Sequence, residues 1–186
     1  MSAGDSPHGL AESSHDPPRG RDGRPFQVRG RDGILDRMSP LEPQVSRTAF
    51  LDTRESFDAF VKAWEAGQLP KAGWTHEAHV AMGACYVIRY GEAAVAELRQ
   101  GIKRHNAAVG TLDTSTSGYH ETLTCFWTGV VSRLVKGLSD PWLAARRAVE
   151  TVGHARDLHR LYYSFDVVRD AKARASFVPA DLEGPY

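Results

Sequence analysis

Helical periodicity of the apolar side chains is the feature that most limits what this chain can fold into. From about residue 47 onward, apolar residues recur three and four positions apart, as in the set Phe57, Phe60, Val61 and Trp64, which places them on one face of a helix. No segment alternates apolar and polar residues with a period of two, and no turn typical of a β-hairpin occurs. The pattern predicts an all-α protein, a single-domain helical bundle of about five to seven helices over residues 47–186.

Capping residues and helix breakers divide this region. Thr53 or Asp52, Thr75 and Asp140 stand where helices should begin, because their side-chain oxygens can accept a hydrogen bond from a backbone N–H of the first turn. The predicted helices run over about residues 53–68, 75–90, 92–106, 119–135 and 141–152, with helical continuation over 156–168 and a short last helix over 170–177. The helices at 75–90 and 119–135 are the most apolar, so we expect them to be central.

The first 46 residues have a different composition. They hold six of the ten prolines and six of the seventeen glycines, and their six arginines stand against seven acidic residues. Because such a segment cannot bury enough apolar surface to offset its loss of backbone entropy, residues 1–46 are predicted to form a disordered tail. Met38 would also serve as a translation start. An alternative interpretation is therefore that the gene was predicted to begin too early and that part of this tail is not translated. Contact of its R-G-R-D-G repeats with nucleic acid is the alternative, which the interleaved acids disfavour.

The overall charge balance argues against one class of function. The chain has 23 lysines and arginines and 23 aspartates and glutamates, whereas a protein that binds a nucleic-acid backbone needs a basic face. No apolar stretch is long enough to cross a membrane, and the N-terminus does not resemble a secretory signal. Cys85 and Cys125 lie within apolar segments, as is typical of a reducing compartment. We therefore expect a cytoplasmic protein with a small-molecule substrate and no nucleic-acid or membrane partner.

Histidines open both of the most apolar helices. The segment W-T-H-E-A-H carries His76 and His79 on adjacent stripes of one helix, and G-Y-H-E-T carries His120 and Glu121. If the two helices pack side by side, these four side chains converge at one end of the bundle. Three imidazoles and a carboxylate suit Zn, Fe or Cu better than Ca or Mg. The sequence therefore predicts a divalent transition-metal site with His76, His79 and His120 as ligands.

Two glutamates are the candidate catalytic residues of such a site. Glu121 or Glu77 would act as the general base if it is not a ligand, because a carboxylate beside metal-bound water can take its proton. The structural interpretation of Glu77 is that it complements the helix dipole at the second helical position. Tyr119, Asn106 and Thr124 are predicted to contact the substrate, and the loop at residues 110–118 to close over it.

Structural roles compete with these assignments. The first motif is H-E-x-H rather than the H-E-x-x-H of zinc proteases, and His79 alone would be an ordinary core histidine. His105 is expected to complement the dipole at the end of its helix, and His154 and His159 to lie on a solvated face. Cys125 is interpreted as an unreactive core residue because aromatic residues follow it.

The same motifs resemble those of a group of short helical bacterial proteins. The shared segments are W-T-H-E-A-H, K-R-H-N, G-Y-H-E-T and, near the C-terminus, A-R-A-S-F-V-P-A-D-L. The group has A-R-x-x-F-V-x-P-D-L at the last of these, so Pro179 falls one position early here. No activity is established for that group. The resemblance therefore supports a functional role for the two histidine motifs, but it implies no particular reaction.

Two functions follow from the sequence as hypotheses. The first is a small metal-dependent enzyme that acts on a small polar metabolite; a metal-free variant of it would use His120 and Glu121 as an acid–base pair. The second is a non-catalytic helical ligand-binding or adaptor protein whose histidines are structural. The sequence leaves open the reaction, the substrate, the metal and the oligomeric state.

Overall fold

The computed structural model describes residues 46–184, and within that range the chain is all-α with no β-strand. Its helices there are α1 (Arg54–Glu65), α2 (His76–Tyr90), α3 (Ala94–Ala108), α4 (Glu121–Leu134), α5 (Pro141–Val152) and α6 (Ala171–Ala175), joined by turns and short 3₁₀ segments. The predicted helical bundle is thus confirmed. None of these helices is long and apolar enough to cross a membrane. The predicted disordered tail lies, apart from Ser46, outside the described residues.

Side-chain caps begin the helices where the sequence predicts them. The Thr53 hydroxyl oxygen accepts a hydrogen bond from the backbone N–H of Ser56, and the Ser56 hydroxyl oxygen accepts one from the backbone N–H of Thr53. Thr75 caps α2 and Asp140 caps α5, each through one such bond. A cap satisfies a backbone donor that would otherwise lack a partner, which stabilises the helix by about 1 kcal/mol. The caps therefore fix the residue at which each helix begins.

Helix α2 is surrounded by its neighbours. It packs most extensively against α5 and also contacts α3 and α4. Residues 78–86 of α2 are buried apart from His79. The expectation of a central helix is confirmed, because a helix that is apolar around its whole circumference needs packing partners on every side. This arrangement also brings the N-terminal ends of α2 and α4, with their histidines, to the same cavity.

The segment at residues 156–168 differs from its prediction. Only Leu158–Leu161 forms a helical turn, of the 3₁₀ type. The backbone N–H of Asp181 donates to the Tyr162 carbonyl oxygen, and the Asp181 carboxylate accepts hydrogen bonds from the backbone N–H and the hydroxyl of Ser164. The prediction of a helix is wrong here because distant parts of the chain supply the hydrogen bonds that a helix would have supplied.

Candidate functional site

A cavity of about 530 Å³ lies among α2, α3 and α4, where the two histidine motifs meet. The turn before α2, the loop between α3 and α4, and parts of the 156–174 region complete its wall. The predicted site residues that line it are His76, His79, Asn106, Tyr119, His120 and Thr124. The two predicted catalytic glutamates, Glu77 and Glu121, are not part of the lining.

His79 is held in one tautomer and has a free nitrogen. Its Nδ1–H donates to the carbonyl oxygen of Thr75 at 2.6 Å, since a carbonyl oxygen can only accept. The ring also packs on Trp74, with the ring centroids 4.0 Å apart. Although solvent reaches part of this residue, the protein around the ring desolvates it and lowers the pKa of His79 to about 4, so the ring is neutral at physiological pH. Its Nε2 has no hydrogen-bond partner among the described residues and is open to the cavity.

His76 begins α2 on the neighbouring stripe of the same helix. Its ring packs edge-on against Trp127, with centroids 4.7 Å apart, and its Nε2 atom is buried without a hydrogen-bond partner. Burial also lowers the pKa of His76. Of the two histidines of the first motif, His79 therefore presents a free imidazole nitrogen to the cavity, whereas Nε2 of His76 is shut off from solvent.

His120 uses both of its ring nitrogens to hold the backbone. It is the N-cap of α4, where Nδ1 accepts from the Leu123 N–H at 3.3 Å. On the other side of the ring, Nε2–H donates to the Val167 carbonyl oxygen at 2.9 Å. The sequence analysis assigned this imidazole to a metal ion or to an acid–base pair. In this arrangement it has no lone pair left for either role, because its one free lone pair already accepts the Leu123 hydrogen bond.

Glu121 is the centre of an ion-pair network outside the cavity lining. Its Oε2 accepts hydrogen bonds from Arg99 Nε and from the Tyr119 hydroxyl, both at 2.8 Å, and its Oε1 pairs with the second arm of Arg99. The thiol of Cys125 also donates to Oε1. The Arg99 hydrogen bonds hold the pKa of Glu121 at about 2, although burial alone would raise it. Both oxygens of the candidate general base therefore accept hydrogen bonds from the protein, and these bonds stabilise the start of α4.

The polar groups of the three predicted substrate-binding residues are also engaged by the protein. Asp113 Oδ1 accepts from Asn106 Nδ2 at 3.2 Å and from the Tyr119 N–H at 2.8 Å, and the Thr124 hydroxyl donates to the His120 carbonyl oxygen. These bonds fasten the 110–118 loop beside the cavity. Gly118 closes that loop with φ at +78°, and a Cβ atom there would overlap the Asp113 side chain, so only glycine fits.

Two further histidines line the cavity, and the sequence analysis placed both elsewhere. His105 is fully buried with no partner for either ring nitrogen, and its burial lowers its pKa, which disfavours the charged form that would complement a helix dipole. His159 is only 7 % exposed and its Nδ1 lacks a partner, so the predicted solvated face is wrong. A signal for His105 does exist, because it continues the apolar stripe that contains Ala94 and Leu98.

Three basic residues complete the polar part of the lining. They are Lys71, Arg156 and Arg174. No aspartate or glutamate of the described chain contributes to this lining. The cavity is therefore basic in a chain whose lysines and arginines equal its acids in number.

The predicted metal site has no ready-made ligand set. Between residues 46 and 184, no group of three or more histidine, cysteine or acidic side chains is arranged to hold a metal ion. His76, His79 and His105 line the same cavity without forming such a group. A metal bound by His76, His79 and His120 therefore stays a prediction from the sequence.

The remaining source of functional information is comparison with known proteins. Neither the family models, nor the curated proteins, nor the solved structures contain a match to this chain. The chemistry of the histidine-lined cavity is therefore the basis on which a function is assigned.

Proposed function

We propose that this chain binds a small organic molecule in the histidine-lined cavity and exchanges a proton with it through His79. The volume of about 530 Å³ lies in the range of pockets that hold small-molecule ligands. The walls combine apolar and aromatic side chains with a few polar groups, which is the usual composition of such pockets. The observation that carries the proposal is the unpartnered Nε2 of a neutral His79, open to this space.

The surroundings of His79 suit a proton acceptor. The hydrogen bond to Thr75 fixes both the tautomer and the orientation of the ring, as the partner of a general base does in an enzyme. Desolvation makes the His79 ring a weak base, since it lowers the pKa of His79 to about 4. A ligand with negative charge beside the ring would raise that pKa, because an opposite charge favours the protonated form. Proton exchange would thus depend on which ligand is bound.

A thermal-shift screen of small organic acids, amines and neutral compounds tests this proposal. A ligand at about one hundred times its Kd should add about 2.7 kcal/mol to the free energy of unfolding and raise Tm by a few degrees. We expect the same shift in the wild type and in His154→Ala, whose exposed histidine does not line the cavity. The shift should be lost in His79→Ala. Equal shifts in all three proteins, or no shift with any compound, would contradict the proposal.

A metal-dependent enzyme is the second candidate. The observation in its favour is that His76, His79 and His105 all line one cavity and each has an unpartnered ring nitrogen, and imidazole nitrogen suits Zn, Fe and Cu. These rings would have to reorient to form a ligand set, since no such group exists in the described residues as they stand. The metal would then polarise a substrate or its own bound water.

Elemental analysis of the purified protein separates the two candidates. If the second is correct, we expect about one equivalent of a transition metal in the wild type and its loss in His79→Ala. His120→Asn should keep the metal, because His120 uses its nitrogens for the backbone and asparagine can still cap α4. If the wild-type protein binds an organic ligand but contains well below one equivalent of metal, the metal-dependent candidate is excluded and the first proposal stands.

The cellular setting we propose is the cytoplasm, without a nucleic-acid partner. Cys85 and Cys125 are both free, which suits a reducing compartment. Burial raises the pKa of Cys85 to about 12 and that of Cys125 to about 11, so neither thiol ionises near neutral pH. The balanced charge of the chain supports the absence of a nucleic-acid partner.

A further inference from the structure

We infer that the ligand of the histidine-lined cavity is a monocarboxylic acid with an apolar body, and that Arg156 binds its carboxylate. This inference rests on the proposed function, since it names the chemical class of the molecule that the same cavity would hold. Three observations carry it: the charges of the lining, the partners of its basic residues and the aromatic walls.

The charges of the lining favour an anion. Lys71, Arg156 and Arg174 line the cavity together with five histidines, and no described acidic residue does so. A cationic ligand would add to this positive charge, part of which solvent reaches at Lys71 and Arg156. Because electrostatic interactions are stronger where water is excluded, one negative charge on the ligand would be favoured there.

The partners of the three basic residues identify which one is available. Arg174 is committed to the backbone, since it donates to the carbonyl oxygens of Gly118, Tyr119 and Val168. Arg156 makes no ion pair with any carboxylate of residues 46–184, and the adjacent Asp157 pairs with Arg160 instead. A guanidinium binds a carboxylate through two parallel hydrogen bonds, which makes Arg156 better suited than Lys71 to anchor a planar acid.

Arg156 also lines the same cavity as the histidines of the first motif and acts on them electrostatically. After burial, which contributes most, the positive charge of Arg156 is among the causes that lower the pKa values of both His76 and His79. A carboxylate placed against Arg156 would therefore also face these two rings. It would compensate the guanidinium charge and offer an acceptor to an imidazole N–H.

The aromatic walls indicate the rest of the molecule. Trp74 and Trp127 flank the histidine pair, and Leu98 and Ile102 of α3 add apolar surface to the same lining. Such walls gain free energy from contact with an apolar body. A carboxylate on an aliphatic or aromatic body therefore matches both the arginine and the apolar surface.

Isothermal titration calorimetry with matched ligands tests the inference. The probes are octanoate, benzoate and phenylacetate, each compared with its primary amide and with the amine of the same body. Phenyl phosphate serves as an alternative anion. We expect at least one carboxylate to bind the wild type about tenfold or more tightly than its amide, as a charge-assisted hydrogen bond predicts. Arg156→Gln should remove this preference and leave the affinity for the amide unchanged. Arg160→Gln, a neighbouring exposed arginine outside the lining, should behave like the wild type.

Several results would overturn the inference, and they differ in what they say about the proposed function. Amides that bind as tightly as their acids, with binding lost in His79→Ala, would contradict the carboxylate and leave the ligand-binding cavity standing. Tighter binding of the amines or of phenyl phosphate would replace the carboxylate with that class of ligand. An unchanged preference in Arg156→Gln would contradict the role of this arginine. Failure of every probe to bind would contradict the inference alone, because the proposed function is tested by the thermal-shift screen over a wider range of compounds.

Discussion

Replacing Gly101 with alanine should destabilise the protein by about 1–3 kcal/mol, although alanine is the better helix former. Gly101 lies in α3 directly against the Trp64 ring. A Cβ atom at this position would overlap one ring carbon of Trp64 and approach a second to 2.7 Å. Trp64 is fully buried, so its rigid ring has no free space into which to move. The added methyl group would therefore force neighbouring helices apart.

The consequence for the site follows from what Trp64 contacts. Its ring stacks on Trp74 with centroids 5.2 Å apart and lies 6.5 Å from the ring of His105, and both of these residues line the cavity. A displaced Trp64 would shift this part of the wall. We therefore expect Gly101→Ala to weaken ligand binding as well as to lower the free energy of unfolding.

Gly129 provides a matched control for the same substitution. It lies in the middle of α4, it is exposed, and a Cβ atom there would meet nothing within 4 Å. Gly129→Ala should therefore stabilise the protein by about 0.5–1 kcal/mol through helix propensity alone. Urea denaturation of the two variants beside the wild type measures the difference. A Gly101→Ala variant as stable as Gly129→Ala would show that the contact with Trp64 does not limit this position.

The helices were predictable because their causes are local. Thr53, Thr75 and Asp140 each cap a helix by bonding a backbone N–H three residues further along, and such signals can be recognised in a short window of sequence. The position of the cavity was also predictable in part. His76 and His79 were placed near it because they begin an apolar helix, and a helix of that kind must lie at the centre of the bundle.

The roles of individual site residues depended on contacts between distant parts of the chain. Glu121 was predicted to be free for catalysis, but Arg99, 22 positions away, binds its carboxylate. His120 was assigned to a metal, but its Nε2–H reaches Val167, 47 positions away. His159 lies in a short 3₁₀ turn rather than in a regular helix, so no helical periodicity indicates its burial. Pairings of this kind are set by tertiary packing, which a single sequence does not reveal.

Acidification from about pH 7 to 5 should destabilise the protein by roughly 2–4 kcal/mol. Burial lowers the pKa values of all five histidines that line the cavity below the ordinary value of 6.5; they are His76, His79, His105, His120 and His159. Below that value the unfolded chain binds more protons than the folded one, so the free energy of unfolding must fall as the pH falls. The stability that neutral histidines contribute is complete above pH 6.5 and, for His79, is lost down to about pH 4.

Exposure to water limits how much stability the histidines can contribute. The pH range in which this contribution is lost differs from that of the carboxylates. Each histidine can contribute at most about 1.4 kcal/mol per pH unit, and water in the cavity reduces the share of His79, whose ring is open to it. Glu121, with its pKa at about 2, loses its contribution only as the pH falls from about 4.5 toward 2. Measurements above pH 5 therefore report mainly on the histidines.

Urea denaturation of the wild type, His79→Gln and His154→Gln between about pH 7 and 5 tests this expectation. We expect the fall in the free energy of unfolding to be smaller in His79→Gln, because glutamine has no proton to gain. His154 is exposed and lies outside the cavity lining, so its substitution should leave the slope of the wild type unchanged. Equal slopes in all three proteins would mean that His79 is not held neutral by burial. Its assignment as a neutral proton acceptor would then be wrong, since that role requires a ring that stays unprotonated until a ligand arrives.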